Sequence, residues 1–190
     1  MNKSLYEQIS NYVPYDEKEA LDKEVMLKFI ASTEDVLTRE NQIAHMTTSA
    51  WITNKNRDKI LMIYHNIYDS WAWVGGHADG DEDLLHVINK EIEEETGIKS
   101  AKLLDNKIFG LNIVTVDDHT KRGKLVNSHL HMDVEYLFEA DENEELTIKE
   151  DENSGVKWIP INEVENYTSE EKMKAIYKKL NEKTINFSIK

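Results

Sequence analysis

The stretch Gly75-Gly76-His77-Ala78-Asp79-Gly80-Asp81-Glu82, running on through Asp83 to Glu95 and closing in Thr96-Gly97-Ile98, decides how this chain is read. It is a glycine-rich turn that feeds an amphipathic helix. Leu84, Leu85, Ile88 and Ile92 recur at helical spacing and define a buried face. Gly97 suits the left-handed position just past a helix end, with Ile98 packing back onto the last turn. The other face carries Glu91, Glu94 and Glu95, three and four residues apart and so on one turn. Like charges at that spacing repel, and the C-terminal end of a helix disfavours anions. Each effect opposes the arrangement by roughly a few tenths of a kcal/mol to 1 kcal/mol. Lys90 is the cation next to them in sequence. A bound divalent cation would turn the repulsion into coordination, and an all-oxygen ligand set points to a hard ion such as Mg²⁺. The competing reading of the glutamates alone is a solvated acidic face.

The whole pattern resembles the signature of the Nudix hydrolase family, G-x5-E-x7-R-E-U-x-E-E-x-G-U, where U is a bulky aliphatic residue. Gly76, Glu82, Glu91, Ile92, Glu94, Glu95, Gly97 and Ile98 fall in register without a gap. Lys90 stands where the family has arginine; it keeps the charge but cannot make the bidentate fork. The resemblance implies an α/β fold, an α/β/α sandwich with a mixed sheet. It also implies Mg²⁺-dependent cleavage of the pyrophosphate bond in a nucleoside diphosphate linked to another group, nucleoside di- and triphosphates included. Mn²⁺ would substitute for Mg²⁺. By position Glu91, Glu94 and Glu95 would be the catalytic and metal-binding residues, and Gly75 would offer its carbonyl oxygen to the metal. Glu91 would also serve as the base. Glu82 and Lys90 would be auxiliary, and Glu135, Glu152 and His119 are the other candidates for the base.

Three other readings compete. A Nudix-fold isomerase of isopentenyl diphosphate relies on an active-site cysteine, and this chain has no cysteine. A non-catalytic Nudix-fold module that senses a nucleotide or a partner differs from the enzyme only in lacking turnover. A calcium loop around Asp79, Asp81 and Asp83 would need glycine at Leu84 and glutamate at Lys90, and fails on both.

Composition narrows the class. A chain of 190 residues, 39% hydrophobic and 32% charged, fits a soluble globular domain with an appendage. A net charge of −14 speaks against a nucleic-acid polymer as partner, and it means that a phosphate substrate needs a metal to mediate. The missing cysteines remove disulfides, zinc–thiolate sites and cysteine nucleophiles. No apolar run is long enough to span a membrane and the N-terminus has no signal-peptide core, so the expected location is the cytoplasm. A homodimer accords with the family, although no interface is legible.

Residues 1–42 read as an N-terminal helical extension to a Nudix-like domain over 43–190. The extension shows a stripe at Leu5, Ile9 and Val13, and a second helix capped by Asp16 with Ala20, Leu21, Val25, Leu27, Phe29 and Ile30 as apolar positions. A further short helix starts at Thr33-Glu34-Asp35. Strands are expected at 43–53, 59–65, 108–116 and 128–140, with a short one at 156–160. Trp73, just before the glycine pair, is a candidate to stack on a base or sugar. Asp117 to Asn127 is a charged loop holding His119 and Arg122, a candidate to close over a polyphosphate. In the strand that follows, His129, His131, Asp133 and Glu135 alternate with apolar residues and would share one face. His129 and His131 are thus candidate substrate-binding residues, and histidines with a carboxylate could also bind metal. Residues 141–153 read as an acidic linker. Asn162 is expected to cap a brief helix, and Ser169 to begin a last one ending near Leu180.

Overall fold

The computed structural model describes residues 2–121 and 123–188. Helix α1 (Lys3–Asn11) is capped by Asn2, whose side-chain oxygen accepts the Leu5 N–H at 2.9 Å, and it buries Leu5 and Ile9. Val13 lies beyond its end and is exposed. Asp16 caps α2 (Glu17–Ser32), accepting the Glu19 N–H at 2.7 Å. The buried face of α2 differs from the expected one. Leu21 and Val25 are exposed, while Glu19 and Asp22 go inside with Met26 and Ile30. Partners offset the desolvation of both carboxylates. Glu19 accepts the Tyr12 hydroxyl and the Tyr15 N–H; Asp22 pairs with Lys18 and accepts the Ile113 N–H at 3.2 Å. The helix expected from Thr33 does not form. Thr33 caps the end of α2, and the chain continues through turns.

Contacts divide the chain into two compact units. One comprises Met1–Ser49, Gly76–Val87 and Lys107–Tyr136; the other comprises Ala50–Gly75, Ile88–Asn106 and Leu137–Lys190. Strands β1 (Ala44–Asn54) and β9 (His129–Ala140) and helix α3 (Leu84–Thr96) run through both. The sheet order is β10 (Asn153–Pro160), β2 (Lys59–His65), β1, β9, β5 (Lys102–Leu103), with β3 (Ser70–Ala72) on β2, β4 (Val74–His77) on β1 and β6 (Gly110–Val116) on β9.

In the first unit β6 (Gly110–Val116) pairs antiparallel with β9, from Gly110↔Glu135 to Val116↔His129, and α2 packs on β6. The Leu130 N–H donates to the Ile43 carbonyl and the Thr48 hydroxyl to the Val134 carbonyl, so β1 and β9 advance in the same direction. Parallel and antiparallel neighbours on one strand make the sheet mixed. β1 is buried along its whole length, where sequence alternation suggests one wet face. Its polar residues stay inside because they are bonded: Thr47 and Ser49 both donate to Asp133, at 2.6 and 2.5 Å. The charged loop at 117–127 contains a small hairpin of β7 (His119–Lys121) and β8 (Lys124–Val126).

In the second unit β2 (Lys59–His65) pairs antiparallel with β10 (Asn153–Pro160), with β3 (Ser70–Ala72) and, at Thr53↔Ile60, with the end of β1. A bulge shifts the β10 register between Asn153 and Val156. β5 (Lys102–Leu103) pairs with the end of β9. Of the last helices, α4 (Val164–Tyr167) starts one residue and α5 (Glu171–Ile185) two residues after the expected start, and neither Asn162 nor Ser169 caps them. Tyr177 of α5 stacks on Trp51 at 5.3 Å and meets Trp73 edge-on at 5.6 Å.

Candidate functional site

The turn before α3 is held by its own aspartates. Asp81 accepts the Asp83 N–H at 2.9 Å, and Asp83 accepts the His86 N–H at 3.1 Å, which satisfies donors at the helix start. Leu84, Val87, Ile88 and Ile92 are buried and anchor the helix; Leu85 is only half-buried. Gly97 has φ +77° and donates its N–H to the Glu93 carbonyl at 2.9 Å. A Cβ there would also run into the Thr147 side chain, so glycine is required twice over.

The acidic turn of α3 does not stand alone. Residues 141–153, the acidic linker, bring Glu152 and Lys149 to it. Glu91, Glu95 and Glu152 each present a carboxylate oxygen, all within 4.8 Å of one another. Lys149 Nζ lies 3.0 Å from Glu94, 3.1 Å from Glu152 and 3.9 Å from Glu91. Lys90 makes a longer contact, 3.4 Å to Glu94, on the exposed side. The cation that holds these acids is therefore Lys149 rather than Lys90. The side chain of Asn153 donates to the Glu95 carbonyl at 3.0 Å and ties the start of β10 to the end of the helix.

Burial sets the electrostatics. Glu95 is 2% exposed and its Oε2 has no hydrogen-bond partner. Desolvation first, then the charges of Glu91 and Glu152, push its carboxyl up to about 9, against a Gly75 N–H that favours the anion. Gly75 thus meets Glu95 through its N–H. Glu91 is also raised, chiefly by burial. Glu94 is lowered by its hydrogen bond from Lys149. Burial works to depress Lys149, but its bonds to Glu94 and Glu152 prevail and raise it. A buried carboxylate oxygen with no donor, beside two more carboxylates, suits a hard divalent ion as its missing partner.

The other sequence candidates are spread more widely. Glu82 is exposed on the turn. Glu135 is fully buried and accepts from the Asn112 side chain. Trp73 is half-buried against Tyr177, and its backbone N–H donates to the Tyr177 hydroxyl at 3.4 Å. Arg122 lies outside the described residues. Asp133 is tied to Thr47 and Ser49, which hold its carboxyl down while burial, the larger effect, pushes it up to about 6.

His129 and His131 are joined by histidines that sequence reasoning passed over. His45 of β1 lies 4.9 Å from His129, 5.1 Å from His131 and 5.2 Å from His77, ring centre to ring centre. His77 of β4 meets His131 edge-on at 4.8 Å, and His119 is 6.4 Å from His129. Burial, reinforced by the neighbouring imidazoles, pushes His77 down to about 2 and His131 to about 3, and burial lowers His45 as well. In each of the three, burial favours the neutral ring. Lys149 and His45 come from separate segments with no local spacing to mark them, and His77 is the one histidine of the glycine-rich turn, where nothing in the sequence pairs it with another ligand.

A family model described as NUDIX domain matches residues 44–180. Nudix hydrolase 3 of Arabidopsis thaliana is 27% identical over 134 residues, which are 67% of this chain and 17% of that protein. The chain thus spans about a sixth of the length of that relative. Among solved structures, a NUDIX-family hydrolase from Clostridium perfringens superposes with a TM-score of 0.53 at 19% identity, covering 73% of this chain and 96% of its own. An Ap4A hydrolase of C. elegans gives a TM-score of 0.53 at 15% identity, covering 75% and 98%. These two likenesses concern the fold.

Proposed function

The chain belongs to the Nudix hydrolase family, and we propose that it cleaves the pyrophosphate bond of a nucleoside diphosphate linked to another group, nucleoside di- and triphosphates included. The observation that carries this reading is the convergence of Glu91, Glu95 and Glu152 around a buried Glu95 oxygen that has no donor. Glu91, Glu94 and Glu95 would hold Mg²⁺, with Mn²⁺ as a substitute, Glu152 would complete the oxygen set, and Gly75 would add its carbonyl. When bound, the ion neutralises phosphate charge and lowers the pKa of water.

The remaining work falls to side chains. Water attacks phosphorus, the P–O bond to the bridging oxygen breaks, and the leaving phosphate departs with that oxygen. Glu91 takes the water proton, because burial has already raised its affinity for one. Glu152 is the neighbouring alternative for this role. Lys149 pairs with Glu94 and Glu152 and orients them, and its hydrogen bond keeps Glu94 ionised. Trp73, half-buried, and the histidines 129 and 131 with Arg122 are the proposed substrate contacts. Residues 1–42 form the extension to a catalytic domain over 43–190. Among the described residues no helix is long and apolar enough to cross a membrane. We place the protein in the cytoplasm, where a chain without cysteines forgoes nothing. It would act on a small nucleotide, with a homodimer as the proposed assembly.

The test is a panel of nucleoside di- and triphosphates, dinucleoside polyphosphates, ADP-ribose and other nucleotide sugars, each with and without Mg²⁺. Phosphate-containing products that require Mg²⁺ support the hydrolase and name its substrate. A silent panel with folded protein overturns it in favour of a nucleotide-binding module.

A further inference from the structure

We propose that His45, His77 and His131 form a second metal centre, an all-nitrogen site for a borderline divalent ion of the Zn²⁺ class. It is separate in ligand chemistry from the carboxylate set and does not depend on the reading proposed above. Each of the three histidines can offer one ring nitrogen, and these atoms lie within 4.8 Å of one another. Ligands at a Zn–N distance of about 2.0–2.1 Å sit roughly 3.3 Å apart in a tetrahedron, so ring rotations that close the set by an ångström or so suffice.

The second observation is His45. It is 4% exposed, its Nδ1 lies 3.0 Å from the Asn41 carbonyl, and its Nε2 is buried with no hydrogen-bond partner. A ring whose Nδ1–H donates to a backbone carbonyl presents a lone pair at Nε2. This is the arrangement by which proteins orient metal-binding histidines. Nothing in the surrounding structure supplies a donor to that lone pair, and imidazoles surround it instead. His129 is a positioning residue. Its Nδ1 lies 2.8 Å from the Asn127 carbonyl and its Nε2 3.1 Å from His131 Nε2, which restrains the His131 ring. Arg39 and Lys121 are nearby cations that would oppose a metal; Arg39 is engaged by Asp79 through both carboxylate oxygens.

Imidazole ligands select Zn²⁺, Co²⁺, Ni²⁺ or Cu²⁺ over Mg²⁺, so the two ligand sets would load different ions from one solution. His77 and His131 are half-buried, and three protein ligands leave a fourth position for water or an anionic oxygen.

The experiment uses the full chain, stripped with a chelator and then held in saturating Mg²⁺. Co²⁺ is titrated by visible absorption and Zn²⁺ by calorimetry. The expected result is one equivalent of Co²⁺ per chain with the d–d bands of a four-coordinate ion. His77→Asn and His131→Asn should abolish the bands, and His129→Asn should keep them with about tenfold weaker binding. Glu95→Gln should keep them unchanged. His45→Asn is not decisive, because that ring is packed inside; the two half-buried positions are, provided circular dichroism shows a native fold. Wild-type bands and affinity in the His77→Asn/His131→Asn double variant would overturn the proposal. So would folded wild-type protein that takes up neither ion, or bands lost with Glu95→Gln.

Discussion

The carboxylate turn of α3 and the histidine cluster are both partly buried groups of titratable side chains, and burial moves them in opposite directions. It raises Glu95 to about 9 and lowers His77 to about 2. The cause is the same, since a poorly solvated site disfavours whichever form is charged. The consequence for cations differs. Near neutral pH a metal-free Glu95 holds a proton that a metal must displace, whereas the histidines are already neutral and ready to ligate. The two regions also differ in origin. One is assembled mostly within a single helical turn, the other from β1, β4 and β9.

Four experiments would break or sharpen this contrast. The largest effect should come from Glu94→Gln and Glu95→Gln, each expected to lower Mg²⁺-dependent turnover at least about a hundredfold, because an ion's charge stabilisation is worth several kcal/mol. Circular dichroism should show the fold intact. Wild-type rates in both variants would remove the acidic turn from the chemistry.

Next is the pH dependence of melting in chelated protein. Glu95 keeps its proton in the folded state to about 9, while its ordinary value is 4.5, so its contribution to stability falls as pH rises between these limits. His77 and His131 refuse protons that the unfolded chain accepts below 6.5, so their contribution falls as pH drops below 6.5 toward about 3. Glu95→Gln should flatten the alkaline limb, and Mg²⁺ should do the same in the parent. His77→Asn/His131→Asn should flatten the acid limb. Limbs that survive these changes would show that the contrast arises elsewhere.

A smaller effect is expected of Lys149→Gln. Lys149 is the ammonium lodged among Glu91, Glu94 and Glu152. Losing it should lower the melting temperature of metal-free protein by a few degrees while tightening Mg²⁺ severalfold, since a competing charge has gone. Weaker Mg²⁺ binding measured by calorimetry would mean that Lys149 organises the ligands more than it competes. The smallest change should come from Lys90→Arg. Its pair with Glu94 is exposed and 3.4 Å long, and such pairs contribute about 0.3–0.5 kcal/mol. Melting should hardly move, and turnover should change by less than about threefold. A much larger gain would show that the missing guanidinium fork limits the site.

What could be read beforehand follows the range of the forces involved. The i, i+3 and i, i+4 spacing of Glu91, Glu94 and Glu95, the glycine after the helix and the Asp16 cap depend on residues within one turn of each other. Each is present in the structure. The failures are also local statements, but ones that tertiary contacts overrode. Thr33-Glu34-Asp35 has helix-start chemistry but stays a turn, because Val36 is buried and its carbonyl accepts the Met46 N–H of β1 at 2.8 Å instead of a helical donor. Leu21 and Val25 look like core and are exposed, because Glu19 and Asp22 found partners in Tyr12, Tyr15 and Ile113.

The amino-acid sequence by itself determined the family, the α/β class and the acidic turn, since these rest on short-range patterns and on residue types the chain has or lacks. Only the tertiary structure decided that Lys149 and Glu152 complete that turn and that His45 and His77 join His131. Those residues are far apart along the chain. Strand pairing and the return of residues 141–153 bring them together, and no spacing in the sequence encodes a contact made by sheet order.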